Sequence, residues 1–123
     1  MRPFFFDQRM HQTDLAQAFT TVDALVEKAI RVFDLPDAGI WEFRGVARHT
    51  TFSKLMSWAA VDRGMAIARH AGREQALERW AIQRERMRRE IQEKSWNDMV
   101  GYFTQSFGGD SPDAANLLLM ELG

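Results

Sequence analysis

Between Asp14 and Phe33 the apolar residues recur at steps of three and four: Leu15, Ala18, Phe19, Val22, Leu25, Val26, Ala29, Ile30 and Phe33. That period lays them along one stripe of an α-helix, with polar residues on the other face. Thr13 or Asp14 can cap the start. Leu35-Pro36 ends it, because the residue before a proline is pushed out of the helical region. A helix of this kind gains most of its stability by packing its stripe on a partner, so the next question is what the rest of the chain offers.

Two further segments answer it. From about Ser53 to His70, Leu55, Met56, Trp58, Ala59, Ala60, Val61, Met65, Ala66, Ile67 and Ala68 spread around much of a second helix, which stops at Gly72, a natural left-handed cap. A helix apolar on most sides is buried on most sides. From about Glu74 to Lys94 the pattern inverts. Leu77, Trp80, Ala81, Met87 and Ile91 form a narrow stripe, and Glu85 with Arg89 and Glu90 with Lys94 stand at the favourable four-residue spacing. This is a solvated outer helix, and an inner helix joined to an outer one by a short turn is an αα-hairpin.

Residues 95 to 109 change character. Phe103, Gln105 and Phe107 fall on one face of a short extended segment within 102–107, closed by Gly108-Gly109. Ser111-Pro112-Asp113 is a helix start: a capping hydroxyl, a proline at the first helical position, then an acid on the dipole. Leu117-Leu118-Leu119-Met120 follows and the sequence stops at Gly123, which reads as a boundary inside a larger helical array. The expectation is an all-α chain, an arc of αα-hairpins with one short extended segment near 102–107. It forms one unit over 1–123, with residues 1–12 as an irregular lead-in.

Composition removes several classes of function. There is no cysteine, which excludes disulfides, thiolate metal sites and cysteine nucleophiles. A net charge of −1 gives no electrostatic footprint for nucleic acid or an anionic membrane. His11, His49 and His70 share no ligand spacing, so no metal and no cofactor are expected. The run Phe4-Phe5-Phe6 is too short for a signal-peptide core and no stretch reaches transmembrane length, so a cytoplasmic location is the default expectation. Arg84, Arg86, Arg88 and Arg89 are interleaved with Glu85, Glu90 and Glu93 and read as a solvated face. Asp62-Arg63 reads as a buried structural pair, Trp58 as core, and Asp110 and Asp113 as cap acids.

The segment from Asp37 to Lys54 carries the chemistry. It reads Pro36-Asp37-Ala38-Gly39-Ile40-Trp41-Glu42-Phe43-Arg44-Gly45, then Arg48-His49-Thr50-Thr51-Phe52-Ser53-Lys54. Trp41 beside Glu42 sets a flat apolar face next to a carboxyl. Sugars bind on such faces, and a tryptophan wall can desolvate a carboxyl and raise its pKa toward a general acid's range. On pattern alone the pair fits packing beside a solvated charge more readily than catalysis.

These blocks resemble the bacterial branch of glycoside hydrolase family 15, which contains glucoamylases, glucodextranases and some trehalases. The resemblance rests on Pro-Asp-Ala-Gly-Ile-Trp-Glu, then Arg-His, then Thr-x-Ser-Lys-x-Met-x-Trp with Asp62-Arg63. Phe103-Thr104-Gln105-Ser106-Phe107-Gly108 and Asp113-Ala114-Ala115-Asn116-Leu117-Leu118-Leu119 follow in the right order, so the match covers roughly residues 14 to 122. It implies a share of a toroid of six αα-hairpins and hydrolysis of terminal α-glucosidic bonds with inversion by two glutamates. By its Trp-Glu context Glu42 matches the general acid, and Trp41 the wall of the sugar site. Arg44, Arg48 and His49 become candidates to bind sugar hydroxyls, although as residues alone they fit solvated loop bases. Phe43 stands where fungal members carry a second, substrate-contacting glutamate. The family's general base belongs to a downstream block that this sequence lacks, which implies a partial domain, inactive alone. Its expected partners are an α-glucoside or oligosaccharide and either a second copy of the chain or the remainder of the toroid. The alternative is a non-catalytic helical module for glucan binding or protein–protein interaction.

Overall fold

The computed structural model describes residues 15–42 and 45–122. Three long helices dominate: α1 (Leu15–Phe33), α2 (Thr51–His70) and α3 (Glu74–Ser95). A two-stranded hairpin follows, β1 (Trp96–Asn97) pairing antiparallel with β2 (Tyr102–Phe103), with Trp96 opposite Phe103 and Asn97 opposite Tyr102. A 3₁₀ turn (Ala114–Leu117) leads into the short α4 (Leu118–Leu122). The fold is all-α with a short extended segment, as the periodicity predicts. The lead-in at 1–12 and the caps Thr13 and Asp14 lie outside the described residues.

The middle helix packs along both its neighbours. Val22, Val26 and Phe33 of α1 meet Leu55, Trp58, Val61, Ile67 and Ala68 of α2, and Ala76, Trp80, Met87 and Ile91 of α3 complete one continuous core. Gly64 makes the closest helix–helix approach possible: a Cβ there would lie 2.3 Å from Val26 Cγ2. The turn from α2 to α3 uses Gly72 in the left-handed region (φ 64), and Arg73 N donates back to Ala68 O at 2.9 Å. This is the expected αα-hairpin.

Several local expectations change. α2 starts at Thr51, two residues before the expected Ser53, because Thr50 and not the loop is its N-cap. The extended segment is regular only at Tyr102–Phe103, then continues as isolated bridges, Thr104 with Pro112 and Ser106 with Thr50. The 3₁₀ turn that leads into α4 is capped by Asp113, not Ser111, since Pro112 is held in the bridge to Thr104. Asp62-Arg63 is not a buried pair. Arg63 is exposed, and the shorter bond to Asp62 comes from Arg84 of α3, Nε to Oδ1 at 2.6 Å. Arg84 and Arg86 are therefore more than a solvated face: Arg84 stacks over Trp58 and Arg86 reaches Asp34 at 2.8 Å, tying α3 to α2 and to the end of α1. The expected pairs Arg89–Glu85 and Lys94–Glu90 form at 3.0 and 2.6 Å.

Residues 104–108 are the seam of the molecule. Thr51 N donates to Gln105 O at 2.8 Å and Thr51 Oγ1 to Thr104 O at 2.6 Å, so the start of α2 is sewn to this segment. Thr104 N donates to Ser95 O, Phe107 N to His49 O and Gly108 N to Lys94 O. The seam joins the end of α3 to the Asp37–Thr50 loop.

Candidate active site

The loop between α1 and α2 is pinned at its root by one carboxylate. Asp37 Oδ1 accepts from Gly39 N at 2.7 Å, Thr50 Oγ1 at 2.5 Å and Ser53 Oγ at 2.7 Å. The first bond closes a turn on Asp37 itself, a habit of short acidic side chains. The other two place the charge at the N-terminus of α2, where a helix favours an anion. Gly39 is needed there: it is left-handed (φ 69), and a Cβ would lie 3.1 Å from Thr50 Cγ2. The backbone of Asp37 also pairs with Arg48 in a small antiparallel bridge, N to O at 2.7 and 2.9 Å.

Beneath this root lies Lys54, 1% exposed. Its Nζ donates to Leu35 O at 2.5 Å and stands 3.8 Å from Asp37 Oδ2. Burial lowers the Lys54 pKa, partly countered by Asp37, Asp34 and Glu90. Burial alone would raise Asp37, but the hydrogen bonds from Thr50, Ser53 and Gly39 and the Lys54 charge outweigh it and hold the carboxyl below its ordinary range. Asp37 thus anchors the loop root, its carboxylate taken up by three donors beside the Lys54 charge.

The root supports a turn. Glu42 N donates to Gly39 O at 3.2 Å, and Glu42 itself takes φ 48. A non-glycine residue in the left-handed region carries a backbone cost, and such residues gather at functional sites. Trp41 and Glu42 are both exposed, side by side in sequence at the tip. The Trp41 indole N–H is engaged by Asp113 Oδ2 at 3.1 Å. Among the described residues none hydrogen-bonds the Glu42 carboxylate. The expectation of a tryptophan wall desolvating Glu42 is not met by these residues, because the carboxylate stands in water.

The other expected ligands divide. Arg48 is exposed and lines a cleft of about 270 Å³ with Asp37, Val46, Thr50, Gln105 and Ser106. His49 is half-buried and stacks on Phe107, ring centroids 6.0 Å apart, so it reads as seam packing. Arg44, like Phe43, lies outside the described residues. Trp41 and Glu42 do not line the cleft. The structural supports Asp37, Thr50, Ser53, Lys54 and Asp113 carry no site role in the sequence reading. The Asp-x-Gly spacing and the Thr-x-x-Ser helix start were the available signals for the first three. Among the described residues there is no group of three or more potential metal ligands, and no helix long and apolar enough to cross a membrane.

The sequence profile of glycosyl hydrolases family 15 matches residues 6–123. A trehalase of Mycobacterium tuberculosis is 39% identical over 95 residues, 77% of this chain and 14% of that protein. A trehalase of Thermoplasma volcanium is 32% identical over 102 residues, 83% of this chain and 16% of that protein. Trehalase 2 of Sulfolobus acidocaldarius is 30% identical over 115 residues, 94% of this chain and 20% of that protein. The chain thus spans about a seventh to a fifth of the curated relatives it matches. No solved structure matches it.

Proposed function

This chain belongs to glycosyl hydrolases family 15, and from that membership we propose that it is the acid-bearing part of a hydrolase that cleaves an α-glucosidic bond, trehalose being the first substrate to test. Glu42 is the proposed general acid and Trp41 the apolar platform for a glucose ring. The observation that carries this reading is the tip of the loop. A strained, left-handed Glu42 is held beside an exposed Trp41 on a root that four hydrogen-bonding groups fix around Asp37. Strain kept at the tip of a rigid support is what a placed catalytic group requires.

In this reading Glu42 protonates the leaving glycosidic oxygen while a second carboxylate, on another part of the longer domain, activates water on the opposite face of the sugar. That remainder, proposed as a further arc of an α/α toroid, also closes over the loop tip that bears Glu42. Arg48, from its place in the cleft, and Arg44 are proposed to bind sugar hydroxyls; His49, stacked on Phe107, is proposed to steady the seam. A second reading, a glucan-binding module without turnover, rests on the exposed face of Trp41.

The test is glucose release from trehalose, maltose and dextran oligosaccharides, with the 123 residues alone and spliced in place of the matching segment of a longer family member. Glu42→Gln should reduce turnover by roughly a thousandfold, the scale of a lost general acid. Release that survives Glu42→Gln undiminished removes Glu42 from the role.

A further inference from the structure

Asp113 stands 72 residues from Trp41 in the sequence, yet its carboxylate serves two masters. Oδ1 accepts from Ala115 N at 2.9 Å and caps the 3₁₀ turn. Oδ2 accepts from Trp41 Nε1 at 3.1 Å. The aspartate is itself braced. Pro112 is bridged to Thr104, and the buried Asn116 donates from Nδ2 to Phe103 O and Thr104 O, each at 3.0 Å. A helix cap needs one acceptor oxygen, which asparagine supplies as well as aspartate. The second oxygen is surplus to the cap and is engaged by the indole.

We infer that Asp113 is the positioning residue for Trp41: it fixes the indole through Oδ2 while Oδ1 keeps the cap, so the loop tip takes its orientation from the distant seam. An exposed tryptophan on a turn otherwise has both side-chain torsions free. With the N–H engaged, the indole offers a ligand its face and not its donor. The matching chemistry is the apolar C–H face of a pyranose ring. This last step rests on the sugar-platform reading of Trp41; the positioning itself does not.

The experiment uses the 123-residue chain labelled with nitrogen-15, its four indole N–H signals assigned with Trp41→Phe. Asp113→Asn keeps one oxygen for the cap and turns a donor toward the indole. Exchange of the Trp41 indole proton with water should speed up about fivefold, the protection of one ordinary hydrogen bond, while the Ala115 amide keeps its protection. Asp113→Ala should release both. Unchanged indole exchange in Asp113→Asn, or a change confined to Ala115, overturns the inference. Trp41→Phe is the reverse probe and should leave Ala115 protected; a released Ala115 there also overturns it, because cap and indole would not be separable.

A second arm reads sugar. Calorimetry with trehalose and a maltooligosaccharide should show affinity falling about fivefold in Asp113→Asn, with no further fall when the same change is made in Trp41→Phe. An equal fall in both backgrounds overturns action through Trp41. If the unaltered chain binds neither sugar, the platform reading of Trp41 fails, and the exchange arm still decides the role of Asp113.

Discussion

The residue that holds the most local structure is Asp37. Replacing it with asparagine removes the charge, spoils the geometry of three incoming donors and leaves the buried Lys54 ammonium without its nearest counter-charge. Loss of roughly 2–3 kcal/mol at neutral pH is expected, the scale for breaking a largely desolvated hydrogen-bonded pair, read as a shift in urea midpoint. The pH dependence has a definite sign. A folded-state pKa below the ordinary 3.8 means that the Asp37 contribution is fully present above that value and is lost as pH falls through the lower, folded value. Wild type and Asp37→Asn should therefore converge in stability as pH falls below roughly 3.8, and a gap that persists there refutes the assignment. Part of this was legible: an Asp-x-Gly before a helix invites a closed turn, and Thr50 and Ser53 stand at a helix start. The Trp41–Asp113 bond was not, because local pattern carries no information about a partner 72 residues away.

At the scale of elements, the helices were legible because their apolar periods are long. The places where they touch were less so. Gly64 lies mid-helix, where a glycine normally costs stability, and its reason is Val26 of the facing helix. Gly64→Ala gains about 1 kcal/mol of helix propensity but forces α1 and α2 apart, which costs about 1–3 kcal/mol in a packed core. A net loss of thermal stability is expected, relieved when Val26→Ala is made with it. A Gly64→Ala change that alone raises the melting temperature would refute the close approach of Gly64 to Val26. The weave at 104–112 escaped the pattern for a different reason. Its bridges are single pairs between segments far apart, so alternation over two or three residues is all the sequence offers.

At the scale of the whole molecule, an isolated arc of αα-hairpins has an apolar flank to cover at each end. The α1 end is in fact covered, Val22, Val26, Ala29 and Phe33 being buried on α2, which leaves Leu25 and Val32 outside. The other end is open: Leu117 is 70% and Met120 86% exposed, with Leu118 beside them. Contiguous apolar surface of this kind marks an association face. We expect the isolated chain to pair through it, most simply as a two-fold dimer, at micromolar concentration. Sedimentation over a dilution series should show the mass falling toward that of one chain, and Met120→Lys should shift the midpoint upward in concentration. An unaltered chain that stays single throughout removes the expectation. The seam has a kinetic consequence as well. α1, α2 and α3 are consecutive in sequence and close over the connections 34–50 and 71–73, far more local than the seam, and local closure is fast. Thr51 meets Thr104 across 53 residues and Trp41 meets Asp113 across 72, so these bonds form only after a long loop closes. The loop tip that bears Glu42, early in the sequence, is thus among the last parts of the molecule to acquire its shape.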